Sequence, residues 1–249
     1  MGSSEDPARQ PDNGLTVVIP AYNEAARIER VLQAVTGTDL PSWILVVDDG
    51  SEDQTSEAAQ SWAGRDGRVH LLRLAQNQGK GAAMVAGARL SPSDVVLFLD
   101  ADLVGLQPGH VEALARPVLQ GQADMTVGLF HKGRLHTDWA HLLTPFLSGQ
   151  RCLRWSLFAD APDLEDAGWG VETALHLHAG RQHLRLLKVP LEGVTQVTKE
   201  EKDEFPASAR NRARMYGHIL RYVTTFLAGW LMGYRFVVRM RRRWQERRA

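Results

Sequence analysis

Five short apolar runs punctuate the first 130 positions: LTVVIP (15–20), WILVVDD (43–49), VHLLRL (69–74), VVLFLD (95–100) and MTVGLF (125–130). Runs of Val, Ile and Leu with little polar alternation predict strands buried on both faces. Between them the apolar period lengthens. Ile28, Val31, Leu32 and Val35 fall at helical spacing, with Asn23 upstream in a capping position. KGAAMVAGARL (80–90) is small-residue-rich and compatible with a helix, and Val111, Leu114, Val118 and Leu119 mark another. Strands and helices in turn predict an α/β fold, a Rossmann-like, mostly parallel sheet flanked by helices. In such sheets ligands bind at the carboxyl ends of the strands.

Three of those ends carry chemistry. The first run ends in IPAYNE, the second in VVDDGSEDQT and the fourth in LFLDADL. If these strands are neighbours, Glu24, Asp48, Asp49, Asp100 and Asp102 converge on one rim, where their mutual repulsion calls for a cation. Aspartates are hard oxygen ligands suited to Mg²⁺ or Mn²⁺, and such an ion commonly also holds substrate phosphates. Ser51 and nearby backbone N–H groups could meet a nucleoside or an anion. Lys80, flanked by glycines in NQGKGA, opens a helix whose amino end favours negative charge. The spacing is not that of a Walker loop.

VVIPAYNEAARIERVL, VVDDGSEDQT, NQGKGAAMVAG and FLDADL, in this order, resemble the family 2 glycosyltransferases of the GT-A fold, over about residues 15 to 130. The resemblance implies an enzyme acting on a nucleotide-diphosphate sugar. It implies that Pro20, Ala21, Tyr22, Glu24, Asp48, Asp49, Ser51, Lys80, Asp100 and Ala101 line the donor site. Asp100 and Asp102 would form a D-x-D pair that reaches the diphosphate through Mg²⁺ or Mn²⁺. Further on, LSGQRCLRW (147–155) and AGWGVETAL (167–175) are similar to the acceptor region of polyprenyl-phosphate sugar transferases. Carried over, Arg151 faces an acceptor or donor phosphate and Glu172 sits near the sugar, so Asp102, Glu172 and Arg151 are the expected catalytic residues. Val104 and Phe130 stand where dolichol-phosphate mannosyltransferases often have Gln and Arg, which argues against mannose as the donor sugar. His176, His178 and Gln196 are candidates for a further metal ligand.

Charge changes the picture at the carboxyl end. The chain of 249 residues is neutral overall, with 29 Lys/Arg and 29 Asp/Glu. From Lys199 onward, 13 Lys/Arg stand against 5 Asp/Glu, leaving an acidic body. Within this tail Ile219, Leu220, Val223, Phe226, Leu227, Trp230, Leu231, Tyr234, Val237 and Val238 form one helical stripe, followed by Arg235, Arg239 and Arg241–Arg243. A basic amphipathic helix either packs on protein, a twin subunit included, or lies on an anionic membrane surface. The charge-free stretch 222–234 is short for a full span. No zinc-finger spacing or aromatic RNA motif accompanies the charge, which argues against nucleic acid. The expected organisation is a disordered tail (1–14), a GT-A catalytic domain (15–198), and a charged loop with a C-terminal helical tail (199–249). The one cysteine, Cys152, and the polar start without an apolar leader suit a cytoplasmic protein, able to meet the inner face of a membrane.

The expected function is metal-dependent transfer of a sugar, with inversion, from a nucleotide donor, UDP-sugars first, to a polyprenyl phosphate. A small soluble acceptor such as a phosphoglycerate is the alternative, and a nucleotide-sugar-binding scaffold without turnover is the non-enzymatic one. A lipid phosphate is already ionised and needs no strong base. A hydroxyl acceptor needs a carboxylate, for which Glu172, Asp163, Glu165 and Asp166 are candidates.

Overall fold

Strands that are apolar on both sides must be covered on both sides, and the computed structural model shows how. It describes residues 12–130, 149–160 and 171–196. Along the chain run β1 (Asp12–Ala21), α1 (Ile28–Thr36), β2 (Pro41–Asp48), α2 (Thr55–Ala63), β3 (Val69–Arg73), α3 (Lys80–Arg89), β4 (Ser93–Phe98) and β5 (Leu103–Val104). They are followed by α4 (Pro108–Leu119), β6 (Met125–Phe130), β7 (Arg151–Arg154), α5 (Trp155–Ala159), α6 (Val171–Arg181), β8 (Leu186–Leu191) and β9 (Thr195–Gln196). Seven strands make one sheet in the order β3-β2-β1-β4-β7-β6-β8, and β5 pairs with β9. The first four strands of that order are mutually parallel; β7 runs antiparallel to both β4 and β6, and β8 is parallel to β6.

All five expected strands form. On one face Val17, Ile19, Ile44, Val46, Leu97 and Leu99 join Ile28, Val31, Leu32 and Val35 of α1 and Val111, Leu114 and Val118 of α4 in a single core. Each such side chain contributes about 1.5–3 kcal/mol when fully buried. On the other face lies α3. Its small residues bring it close to the sheet: a Cβ on Gly87 would overlap Val18. The indole of Trp155 in α5 donates to the Ala88 carbonyl at 2.9 Å, holding α5 beside the end of α3.

Two expectations are corrected, and two further strands are found. Asn23 does not cap α1: it adopts φ 55°, its Oδ1 accepts from the Glu52 N–H at 2.9 Å, and α1 starts from a turn closed on the Glu24 carbonyl. Residues 12–14, placed in the polar tail, begin β1 instead, where Asp12 pairs with Ser93. And β7 and β8, which carry no continuous apolar run, complete the sheet. β7 is short, and β8 lies at the sheet's edge, exposed at Leu187, Lys188 and Pro190, a position that tolerates proline. The chain divides into two units, Met1–Asp203 and Glu204–Ala249, and every described residue belongs to the first. The expected C-terminal helix, the acids of segment 161–170 and the side chains of Glu172 and His176 lie outside the described residues. Among the described residues no helix is long and apolar enough to cross a membrane.

The pairing of β8 with β6 starts from one fork. The Arg185 guanidinium donates to Asp124 Oδ1 at 2.7 Å and Oδ2 at 3.0 Å, and to the Gly121 carbonyl at 2.8 Å, while the Arg185 backbone N–H reaches Oδ2 at 2.8 Å. These bonds, the guanidinium first, hold the Asp124 carboxyl down at about 2, from an ordinary 3.8. A carboxyl depressed by folding contributes stability above its unfolded pKa and loses it as pH falls through the folded one. Arg185→Gln should therefore lower the melting temperature at neutral pH by about 1–4 °C. In a melting series from pH 7 to pH 2, the gap from the parent chain should narrow between about pH 4 and pH 2; a constant gap would contradict the assignment.

Candidate active site

Because β1, β2 and β4 are parallel neighbours, their carboxyl ends open on one rim. Ala21 is in register with Asp48, and the Leu99 N–H bonds to the Val18 carbonyl. Two turns on this rim clasp each other. The Asn23 N–H donates to Ser51 Oγ at 3.0 Å and the Glu52 N–H returns a bond to Asn23 Oδ1 at 2.9 Å. The Glu24 N–H donates to Thr55 Oγ1 at 2.9 Å, and the Ala25 N–H to Asp53 Oδ2 at 3.1 Å. Side chains thereby satisfy backbone groups that neither strand nor helix can. Tyr22 is left 41% exposed beside the clasp. Glu24 is buried and ion-paired with Arg27 at 3.1 Å.

The two acids of DDGS have different work. Asp48 is wholly buried: Oδ1 accepts the Ser51 N–H at 2.9 Å, Oδ2 accepts the Ser56 hydroxyl, and the exposed Arg73 lies 3.7 Å away. Asp49 reaches across to the next loop, its two oxygens taking the N–H groups of Gln78 and Gly79 at 2.8 Å each. Burial pushes the Asp49 carboxyl up, against the downward pull of those two bonds. Gly50, at φ 71°, lies so close to the same loop that a Cβ would sit 2.6–2.8 Å from the backbone of Gln76 and Asn77. Asp49 and Gly50 together fix the segment that delivers Lys80 to the first position of α3.

Lys80 meets the end of β4. Its Nζ lies 2.6 Å from Asp100 Oδ1, while Asp100 Oδ2 accepts the Gln150 amide at 2.8 Å and the Gln196 amide. Asp100 is thus answered by three separate segments, ahead of β7, at the head of α3 and on β9. Leu103 pairs with Gln196 and Val104 with Thr195, so β9 lies along the residues that follow Asp102. Ala101 is buried, Asp102 half-buried. Gly149 leaves no room: a Cβ there would be 2.6 Å from both Asp100 oxygens and 2.7 Å from Lys80 Nζ. Arg151, next along, is fully enclosed in β7 in register with Phe98. The structure thus joins Lys80 with Asp100 and ties Glu24 and Ser51 into the clasp, with Tyr22 exposed beside it. It does not describe Glu172 beyond its place on α6. Gln150 and Gln196 were given no part in holding Asp100 by the sequence. Their contacts span 50 and 96 positions, which no local pattern signals.

Among the described residues no three His, Cys, Asp or Glu side chains gather to hold a metal, and Gln196, not His178, reaches Asp100. Two carboxylates are too few for a closed protein cage. They do fit Mg²⁺ or Mn²⁺, ions commonly held by one or two carboxylates and completed by substrate phosphates.

The family model for glycosyl transferase family 2 matches residues 16–169, which takes in this rim apart from Gln196. The chain belongs to glycosyl transferase family 2. This family 2 enzyme is 38% identical over 96 residues to a dolichyl-phosphate beta-glucosyltransferase of Trichomonas vaginalis, covering 35% of this chain and 28% of the relative. It is 36% identical over 130 residues to an undecaprenyl-phosphate 4-deoxy-4-formamido-L-arabinose transferase of Pseudomonas aeruginosa, covering 50% and 38%. The match thus spans about a third of the length of these two relatives. An undecaprenyl-phosphate mannosyltransferase of Micrococcus luteus is 28% identical over 210 residues, covering 74% of this chain and 85% of its own. Among solved structures, glucosyl-3-phosphoglycerate synthase from Mycobacterium tuberculosis, in complex with Mn²⁺, UDP and glucosyl-3-phosphoglycerate, superposes with TM-score 0.68 at 24% identity, covering 86% and 79%. The fold is GT-A, as expected for this glycosyltransferase.

Asp49→Asn places an amide N–H₂ against one of two N–H groups and removes a charged acceptor, a loss of about 1.5–3 kcal/mol. Hydrogen exchange at Gln78–Lys80 should accelerate about ten- to hundredfold while the strands keep their protection. Unchanged exchange there would show that the carboxylate does not hold the loop.

Proposed function

We propose that this glycosyltransferase moves a sugar from a UDP-sugar to a polyprenyl phosphate, with inversion. The observation that carries the reading is the meeting of Asp100 and Lys80 at the end of β4, one strand from the Asn23–Ser51 clasp. In this reading Pro20, Ala21, Tyr22, Glu24, Asp48, Asp49 and Ser51 form or brace the nucleoside pocket. Asp100 and Asp102, with Ala101 between them, face the diphosphate, where they would hold Mg²⁺ or Mn²⁺. Such an ion, when bound, supplies positive charge that stabilises the departing nucleotide diphosphate. Lys80 adds a second positive charge from the amino end of α3. Arg151 and Glu172 are assigned to the acceptor side, Arg151 toward phosphate and Glu172 toward the sugar.

The choice of acceptor rests on relatives named for dolichyl and undecaprenyl phosphate, and on the basic stretch after Lys199, suited to an anionic membrane surface. The phosphoglycerate reading has one specific observation in its favour, the fold shared with a synthase crystallised with glucosyl-3-phosphoglycerate.

One assay separates them. The full chain, UDP-[¹⁴C]glucose and Mn²⁺ are incubated with undecaprenyl phosphate or with 3-phosphoglycerate, and label is counted in organic and aqueous products. Label in the organic phase is expected, with Asp102→Asn lowering kcat/KM about 10²–10³-fold. Label in the aqueous product alone would transfer the assignment to the soluble acceptor. Donor binding without either product, also with other UDP-sugars, would leave a binding scaffold.

A further inference from the structure

We propose that Lys80 is a resident counter-ion that couples metal binding to nucleotide binding, exchanging Asp100 for the diphosphate when the donor arrives. The inference deepens the donor-site reading above and rests on it.

A carboxylate as buried as Asp100, 7% exposed, needs compensation whether or not a ligand is present. In the ligand-free chain that compensation is complete: Lys80 at 2.6 Å on Oδ1, Gln150 at 2.8 Å and Gln196 on Oδ2. A divalent ion arriving alone would meet an aspartate already neutralised by an ammonium, and would be repelled by that ammonium at close range. It would also find no third carboxylate or histidine gathered with Asp100 and Asp102 among the described residues. A nucleotide diphosphate changes both conditions. Its oxygens complete the ion's coordination, and its charge offers Lys80 a new partner. Lys80 is suited to the exchange: its flexible stem carries a compact charge, and it follows Gly79, a residue at φ 94° with open space around it. Gln150 and Gln196 remain to hold Asp100 in place while the ammonium leaves. Each ligand then removes a cost from the other's binding, which is a coupling free energy and is reciprocal.

The test measures free Mn²⁺ by its electron paramagnetic resonance signal in titrations of the full chain, with and without UDP. Lys80→Gln removes the charge and Lys80→Arg keeps it; melting curves verify that both are folded. In the parent chain UDP should tighten Mn²⁺ binding about tenfold or more, within the usual range of such couplings. In Lys80→Gln, Mn²⁺ alone should bind several-fold tighter than in the parent, and the gain from UDP should shrink to about threefold or less. Lys80→Arg should keep most of the coupling. If Lys80→Gln binds Mn²⁺ alone no better than the parent, with the UDP gain unchanged, the proposal is overturned while the donor site stands. If the parent chain binds neither UDP nor Mn²⁺, both fall.

Discussion

A charged carboxylate at the end of a buried strand has to be answered, and the answer to Asp100 organises this molecule's working rim. Asp100, just past the end of β4, is only 7% exposed. Three donors meet it there: an ammonium from α3 and amides from the approach to β7 and from β9. The helix precedes β4 directly, but the two amides come from 50 and 96 positions further along the chain. Each must be in place for the charge to be tolerated, because an unpaired buried charge would cost several kcal/mol. The Asp100 cluster is in this sense a check on assembly: the parallel half of the sheet, the antiparallel insertion of β7 and the small β5–β9 ribbon must all be in register for it to close.

The loops around the cluster follow the same logic at lower charge. Turns at the ends of buried strands leave backbone N–H groups with no ladder to join. Here Asp48, Asp49, Asp53, Ser51, Thr55 and Asn23 accept those N–H groups, mostly across from one strand's turn to the next. The result is a rigid rim from which Tyr22 protrudes and to which Lys80 is fixed through Asp49. In the function proposed above, this rim is what a nucleotide's base and diphosphate would meet.

The parallel core was legible because burial on two faces writes itself into the chain as unbroken runs of Val, Ile and Leu. The rim was legible as motifs, since IPAYNE, DDGS, NQGKG and DAD keep their spacing. What could not be read were partners set by long-range register. Asn23 looked like a helix cap because caps and cross-loop acceptors use the same short polar side chain; only the neighbouring turn decides which N–H it meets. Gln196 stood among the candidate metal ligands, but its bond to Asp100 depends on β9 pairing with β5, two residues each, which no periodicity announces. β7 begins with an arginine that is wholly enclosed, the reverse of what composition suggests for a strand interior. Cys152, beside it, is buried between β4 and β6, which pushes its thiol far up and leaves it a packing residue.

The claim beneath all of this is spatial: a divalent ion and a nucleotide diphosphate meet where β4 ends, between Asp102, β9 and the head of α3. Paramagnetic broadening by Mn²⁺ in amide nuclear magnetic resonance spectra of the UDP-bound chain measures that location directly. Signals of Gly79, Lys80, Asp102–Val104, Thr195 and Gln196 should vanish first, at substoichiometric Mn²⁺, while those of α2 and β8 persist. Broadening centred anywhere else, with these signals intact, would contradict the account.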